Sequence, residues 1–162
     1  MQGDAIQHVA HADETVLVPI CGKRERIGHV ADPVFALELL GTSAAIEPSD
    51  GTLISPVSGT VTLLPDTLHA IGITSDGGAE LLVHVGIDTI MLHGAPFTPH
   101  VKVGDHVEAG DVLNDVDLDA IRDAGYAATV IVIVTNTEEY AVVEKLGAGL
   151  VSAGDELMHL IA

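Results

Sequence analysis

The sequence predicts an all-β domain: an antiparallel β-sandwich or barrel of short strands with one or two short helices. Three observations carry this. Val, Ile, Leu and Thr recur in short runs, and only four side chains are aromatic (Phe35, Phe97, Tyr126 and Tyr140). The chain is broken at short intervals by 17 glycines and 7 prolines. Between the early apolar runs lie SDGT, PVSG and SDGG, whose Gly, Asp and Ser suit tight turns.

Residues 1–14 mix His, Asp and Ala without alternation and read as a flexible leader or linker, which leaves 15–162 as one domain. Strands are expected over 16–20, 45–47, 53–55, 60–64, 70–74 and 79–85, each an apolar or β-branched run bounded by turn residues. The later half predicts strands over 106–107, 112–116, 129–134 and 157–160 by the same criterion. Helix is scarce. LDAIRDA, 118–124, has room for two turns behind Asp117 as a cap, and 137–146 for one or two behind Asn136.

Six basic residues face 24 acidic ones, a net charge of −18. Such a surface repels the phosphates of nucleic acids and anionic membranes, so neither is an expected partner, whereas a basic protein surface is. The lone cysteine, Cys21, excludes an internal disulfide and fits a reducing compartment. The first residues carry neither the basic nor the apolar region of a secretory signal. The longest uncharged apolar run, YAATVIVIVT at 126–135, is far short of the roughly 20 residues that span a bilayer. The expected location is the cytoplasm.

The stretch ELLVHVGIDTI, 80–90, sets a histidine inside a run that otherwise reads as buried strand, and an imidazole there loses solvation unless something compensates. Of the nine histidines, His84 and His69 are the two that lie in or just before apolar strand segments. The turn SDGG separates their strands, and its distance to each is similar, so antiparallel pairing brings the two imidazoles together.

Little conventional chemistry fits such a pair. Zinc needs about three protein ligands, and no carboxylate completes a set with His69 and His84, so no permanent metal site is expected, and zinc at these two histidines would need a further ligand from a partner. A serine hydrolase needs a nucleophile elbow, and no G-x-S-x-G is present. What remains is a histidine acting as the nucleophile. With an ordinary pKa near 6.5, imidazole is largely neutral at physiological pH and offers a lone pair to a phosphoryl group. The backbone carbonyl of Gly86 would hold the proton on His84 Nδ1 and leave Nε2 free. His69 would donate to the phosphoryl oxygens, oriented by Thr67 two residues earlier, and no cofactor is required.

The run from Gly78 through Leu81-Leu82-Val83-His84-Val85-Gly86-Ile87-Asp88-Thr89-Ile90 resembles the active-site signature of the glucose-type enzyme IIA domain of the bacterial phosphoenolpyruvate-dependent sugar phosphotransferase system. VPICG (18–22), DPVFALELLG (32–41), ISPVSGTV (54–61), LHGAPF (92–97) and GDHVEAGDVLNDVDL (104–118) resemble further segments of that family. The resemblance implies a duplicated, hybrid-motif-like β fold. It implies His84 as the phosphorylated residue and His69 as the second histidine, with Thr67 and Gly86 in support. It also implies an apolar patch of Val34, Phe35, Leu39 and Leu40, with Asp32 and Asp88 at its rim to meet arginines of a partner. That partner would be the phosphocarrier HPr as donor, with the cysteine of an enzyme IIB domain as acceptor, in some cases within a membrane permease. Pro65 and Leu82 stand where the family often has aromatic residues, and Cys21 where it often has serine, so the sugar served stays open.

Two alternatives come from other classes. The turns ISPVSGTV and VKVGDHVEAGDVL also resemble those of biotinyl or lipoyl carrier modules, yet Lys23, Lys102 and Lys145 lack the hairpin-tip setting that such modules modify. A β-sandwich metallopeptidase, or a non-catalytic interaction domain, would share the fold. The former's His-x-His ligand pair is absent, because His84-Val85 is followed by glycine. Without the resemblance, 32–41 reads equally as a short amphipathic helix packed on the core.

Overall fold

The computed structural model describes residues 11–162, folded into fourteen β-strands and a few short helical segments. In chain order come β1 (Glu14–Leu17), β2 (Gly22–Glu25), α1 (Pro33–Ala36), β3 (Thr42–Pro48), β4 (Thr52–Ile54), β5 (Gly59–Leu63), β6 (Ala70–Ser75) and β7 (Glu80–Val85). They are followed by β8 (Phe97–Pro99), β9 (His106–Val107), β10 (Val112–Val116), α2 (Leu118–Asp123), β11 (Val130–Val134), β12 (Val142–Lys145), β13 (Leu150–Val151) and β14 (Glu156–Ile161). The all-β expectation holds. Among the described residues, no helix is long and apolar enough to cross a membrane.

Eight strands form one sheet in the order β13-β2-β3-β11-β7-β6-β5-β9, and two three-stranded sheets, β1-β14-β12 and β4-β10-β8, complete the sandwich. Every pairing among them is antiparallel. One face of the large sheet contributes Ile46, Ile71, Ile73, Leu81, Val83, Val85, Val130 and Val132 to a common core. Val16, Leu53, Leu113, Ile121, Leu157 and Leu160 meet them from the other sheets and α2. The opposite face carries a smaller apolar cluster of Phe35, Ala45, Ile87, Ile131 and Ile133. This explains why β11 reads VIVIV and is buried throughout: Val130, Val132 and Val134 face the main core, while Ile131 and Ile133 face the second cluster.

The expected strands are all present, with ends shifted by a few residues at most. β1 stops at Leu17 because Pro19 has no amide to continue a ladder; Val18 and Ile20 stay fully buried beyond it. Four strands were not predicted. β2 (GKRE), β8 (FTP), β12 (VVEK) and β13 (LV) are short or charged and lack two-residue alternation, so the partner strands create them. α2 begins as expected, with the Asp117 carboxylate accepting from Ala120 N–H at 3.0 Å.

The helix expected over 137–146 is a correction. Only Thr137–Glu139 forms a single 3-10 turn, and Val142–Lys145 then pairs with β14. β-branched Val142 and Val143 are better accommodated in that ladder than in a helix. Asn136 makes no capping bond there. Its side chain instead accepts from Glu80 N–H (2.9 Å) and donates to the Gly78 carbonyl (3.0 Å), pinning the start of β7. Of the expected leader, residues 1–10 lie outside the described residues, whereas Glu14 already pairs with Leu160 in β1.

Asn136 is 3% exposed. Replacing it with Ala deprives Glu80 N–H and the Gly78 carbonyl of their side-chain partner, so Asn136→Ala is expected to lower unfolding free energy by about 1–3 kcal/mol. Urea denaturation measures this, and an unchanged midpoint would contradict the pinning role.

Candidate active site

β7 lies near the middle of the large sheet, so its backbone is paired on both sides: His84 faces Ala70 of β6 and Ile131 of β11. Alternation sends Leu81, Val83 and Val85 into the main core and turns His84 to the opposite face, with Leu82. There the ring of Phe35 lies against the imidazole, with centroids 4.8 Å apart. His84 is thus partly buried in an apolar seat made by α1 and the second cluster.

The His69 and His84 rings are 5.0 Å apart at 78°, an edge-on arrangement. The expected juxtaposition holds, but ideal strand register does not produce it. Because Ala70 is the residue opposite His84, regular alternation would send His69 to the other face. His69 instead sits in a bend before β6, following Leu68 with φ of +59°, and this bend brings its ring round beside His84. Its carbonyl accepts from Val85 N–H at 2.8 Å, tying the bend to the end of β7. Thr67 Oγ1 lies 2.7 Å from His69 Nδ1. His69 Nε2 makes no hydrogen bond among the described residues and is not buried.

The two nitrogens of His84 differ. Nδ1 is buried with no hydrogen bond of normal geometry, while Nε2 is unpaired and open. Burial pushes the His84 pKa down to about 4, with the neighbouring His69 adding to the effect; the Gly86 backbone and the carboxylates of Asp32 and Asp88 pull the other way. Gly86 is thus close enough to favour a proton on the ring without making a well-formed bond to it. Burial also lowers the pKa of His69. Both rings are therefore neutral at pH 7.

Gly86 holds φ of +80°, and a Cβ there would lie 2.2 Å from Thr89 Cγ2 and 3.0 Å from the Ala127 carbonyl oxygen. Only glycine fits. Its amide donates to the Thr129 carbonyl, and the fully buried Thr89 hydroxyl donates back to the carbonyl of Val85. Leu68, Thr89 and Ile131 thus support the site without having been predicted. Leu68 could not have been found by type, since its backbone conformation is what acts.

Asp32 accepts from Val34 N–H at 2.9 Å and caps α1, so one carboxylate both starts the helix and flanks His84. Phe35 is 6% exposed and packs inward, whereas Val34, Leu39 and Leu40 are exposed, as are Leu37, Ile90 and Met91. Both readings of 32–41 therefore have a part in it: a four-residue amphipathic helix with its phenylalanine inward, and exposed apolar residues on and beyond it. Among the described residues no group of three His, Cys, Asp or Glu is placed to hold a metal ion. A cavity lined by residues of β2, β3 and the 147–149 loop does not include His84. An open histidine suits a group handed between large partners, which a deep pocket would exclude.

The chain matches the family described as phosphoenolpyruvate-dependent sugar phosphotransferase system, EIIA 1, over residues 14–140. It is 48% identical over 149 residues to the PTS system beta-glucoside-specific EIIBCA component of Dickeya chrysanthemi, covering 92% of this chain and 24% of that protein. It thus spans about a quarter of that relative's length. It is 41% identical to the PTS system glucose-specific EIIA component of Halalkalibacterium halodurans, covering 88% of this chain and 83% of that one. Glucose permease IIA from Mycoplasma capricolum superposes with a TM-score of 0.81 at 31% identity, covering 92% of this chain and 96% of that one. The chain belongs to the EIIA type 1 family of the sugar phosphotransferase system.

Proposed function

We propose that His84 Nε2 is the atom on which this EIIA domain carries its phosphoryl group, accepting it from the phosphohistidine of HPr and passing it to the cysteine of an enzyme IIB domain. The observation that carries the reading is the asymmetry of the His84 ring: Nδ1 buried, Nε2 open, in a group whose pKa is lowered to about 4. The Nε2 lone pair is therefore available without prior deprotonation. As it bonds to phosphorus, the donor's P–N bond breaks and its electron pair returns to the donor imidazole. The proton on His84 stays at Nδ1, where the Gly86 carbonyl is the nearest compensating dipole.

Phosphoryl transfer through a loose transition state needs positioning and stabilisation of the equatorial oxygens more than covalent assistance. If Thr67 donates to His69 Nδ1, the His69 proton sits on Nε2 and faces the transferred group as a donor. Removing His69 leaves the nucleophile in place but strips the group of a donor needed for onward transfer. Val34, Leu39 and Leu40 form the apolar docking surface and Phe35 its buried support. Asp32 and Asp88 meet basic side chains of HPr, and the chain's net charge of −18 speeds that encounter. The reaction is cytoplasmic, at the inner membrane face where the acceptor belongs to a permease.

The direct test is intact-mass spectrometry after incubation with phosphoenolpyruvate, enzyme I and HPr. An acid-labile phosphoryl adduct is expected on the wild type and His69→Gln and is absent from His84→Gln. With IIB added, the wild-type adduct disappears while that on His69→Gln persists. An adduct on His84→Gln would overturn the assignment.

Burial of His84 also makes a stability prediction. Between pH 6.5 and about 4 the unfolded chain holds a proton on this ring that the native chain does not. The resulting penalty is absent above 6.5, grows as pH falls, and is complete below 4 at about 3 kcal/mol. His84→Gln lacks it. The stability of the wild type relative to His84→Gln is therefore expected to fall across this window in urea melts, and a pH-independent difference would contradict burial of the ring.

A further inference from the structure

A cavity of about 600 Å³, without His84 among its lining residues, is walled by β2, the turn at Ile27–His29, Ser43 and Ala44 of β3, Lys145 and the 147–149 loop. The chain has only six Lys and Arg against 24 acidic residues, yet three of the six, Arg24, Arg26 and Lys145, line this one concavity. A single carboxylate, Glu25, is among the lining residues. Positive charge concentrated in one hollow of a strongly acidic molecule focuses anions there.

The cations are held in different ways. Half-buried Arg24 is fixed by backbone carbonyls: Nη1 donates to Ala45 at 3.0 Å and to Glu25 at 3.4 Å, and Nε to Leu146 at 3.3 Å, leaving Nη2 unpaired and accessible. Lys145 is held at the rim by Glu38 at 2.6 Å. The Arg26 guanidinium makes no ion pair or hydrogen bond among the described residues. Beside Arg24 lies the loop Gly147-Ala148-Gly149, with φ of +84° and +64° at its glycines; the Gly149 carbonyl accepts from Arg24 N–H at 2.8 Å, and the loop's three amides donate to no acceptor among the described residues. Unpaired amides in a glycine loop beside free guanidinium groups are suited to phosphate oxygens. Ile27 supplies apolar wall. The volume suits a small organic molecule and exceeds what a bare ion fills.

We propose that this cavity binds a small phosphate-bearing organic molecule, its phosphate held by Arg26, Arg24 Nη2 and the 147–149 amides and its body against Ile27. Ile27 also packs on the apolar cluster around Phe35, but the phosphate-holding groups of Arg24, Arg26 and the 147–149 loop are not part of the His84 site, so the proposal is tested separately from the phosphoryl-carrier assignment.

The test is titration of the ¹⁵N-labelled full chain with glucose 6-phosphate and with inorganic phosphate at constant ionic strength, followed by amide chemical shifts. Glucose 6-phosphate is expected to give saturable shifts centred on Gly147, Ala148 and Gly149 and to bind more tightly than inorganic phosphate. Arg26 is exposed, so Arg26→Gln leaves the fold intact and is expected to weaken binding at least about tenfold. Lys102→Gln, which removes an exposed cation outside the cavity, leaves it unchanged. No saturable shift at 147–149, or equal affinity in Arg26→Gln and the wild type, would overturn the proposal. Glucose 6-phosphate binding no tighter than inorganic phosphate would overturn the role of the apolar wall.

Discussion

An imidazole seated in a central strand constrains much of what surrounds it. β7 is hydrogen-bonded on both sides, so His84 has one face of the sheet available and shares it with Phe35, Ile131 and Leu82. Burying one edge of the ring there destabilises its cationic form, and the cost is met by leaving the ring neutral. That same burial makes the two nitrogens unequal. A neutral ring with one shielded and one open nitrogen is suited to take and release a phosphoryl group at a defined atom.

The neighbours are arranged to hold that seat. The left-handed glycine at 86 bends the chain away immediately after β7, and Thr89 closes the bend onto the Val85 carbonyl. Asn136 fixes the other end of the strand. The bend at Leu68–His69 places the second ring, whose orientation follows from the Thr67 hydroxyl. Asp32 and Asp88 offset part of the penalty on the cation, and so keep the pKa from falling further.

Much of this was legible in the sequence, for identifiable reasons. His84 announced itself because a polar ring in LLVHVGI needs an explanation, and Gly86 because a glycine follows at once. β5, β6, β7 and β11 were readable because their burial leaves an apolar run. β2 and β12 were not, since GKRE and VVEK become strands through the partners beside them. Residues 137–146 misled because the stretch TEEY suits helix locally, while β14 offers Val142 and Val143 a ladder that sequence alone does not reveal. His69 was paired with His84 correctly by distance from the turn, but the backbone bend that turns its ring to the same face carries no residue-type signal. Asp32 was expected as a rim charge and is also a helix cap. The cationic cavity escaped notice because Arg24, Arg26 and Lys145 are brought together only by the fold.

The central claim is that His84 is a neutral ring with its proton on the buried Nδ1 and its reactivity at Nε2. Long-range ¹H–¹⁵N correlation spectra of the imidazole at pH 7, before and after phosphorylation, test it most directly. The account predicts a neutral Nδ1–H tautomer in the free protein and phosphorus bonded to Nε2 afterwards, with the Nδ1 proton retained. An imidazolium ring at pH 7, an Nε2–H tautomer, or phosphorus on Nδ1 would contradict it.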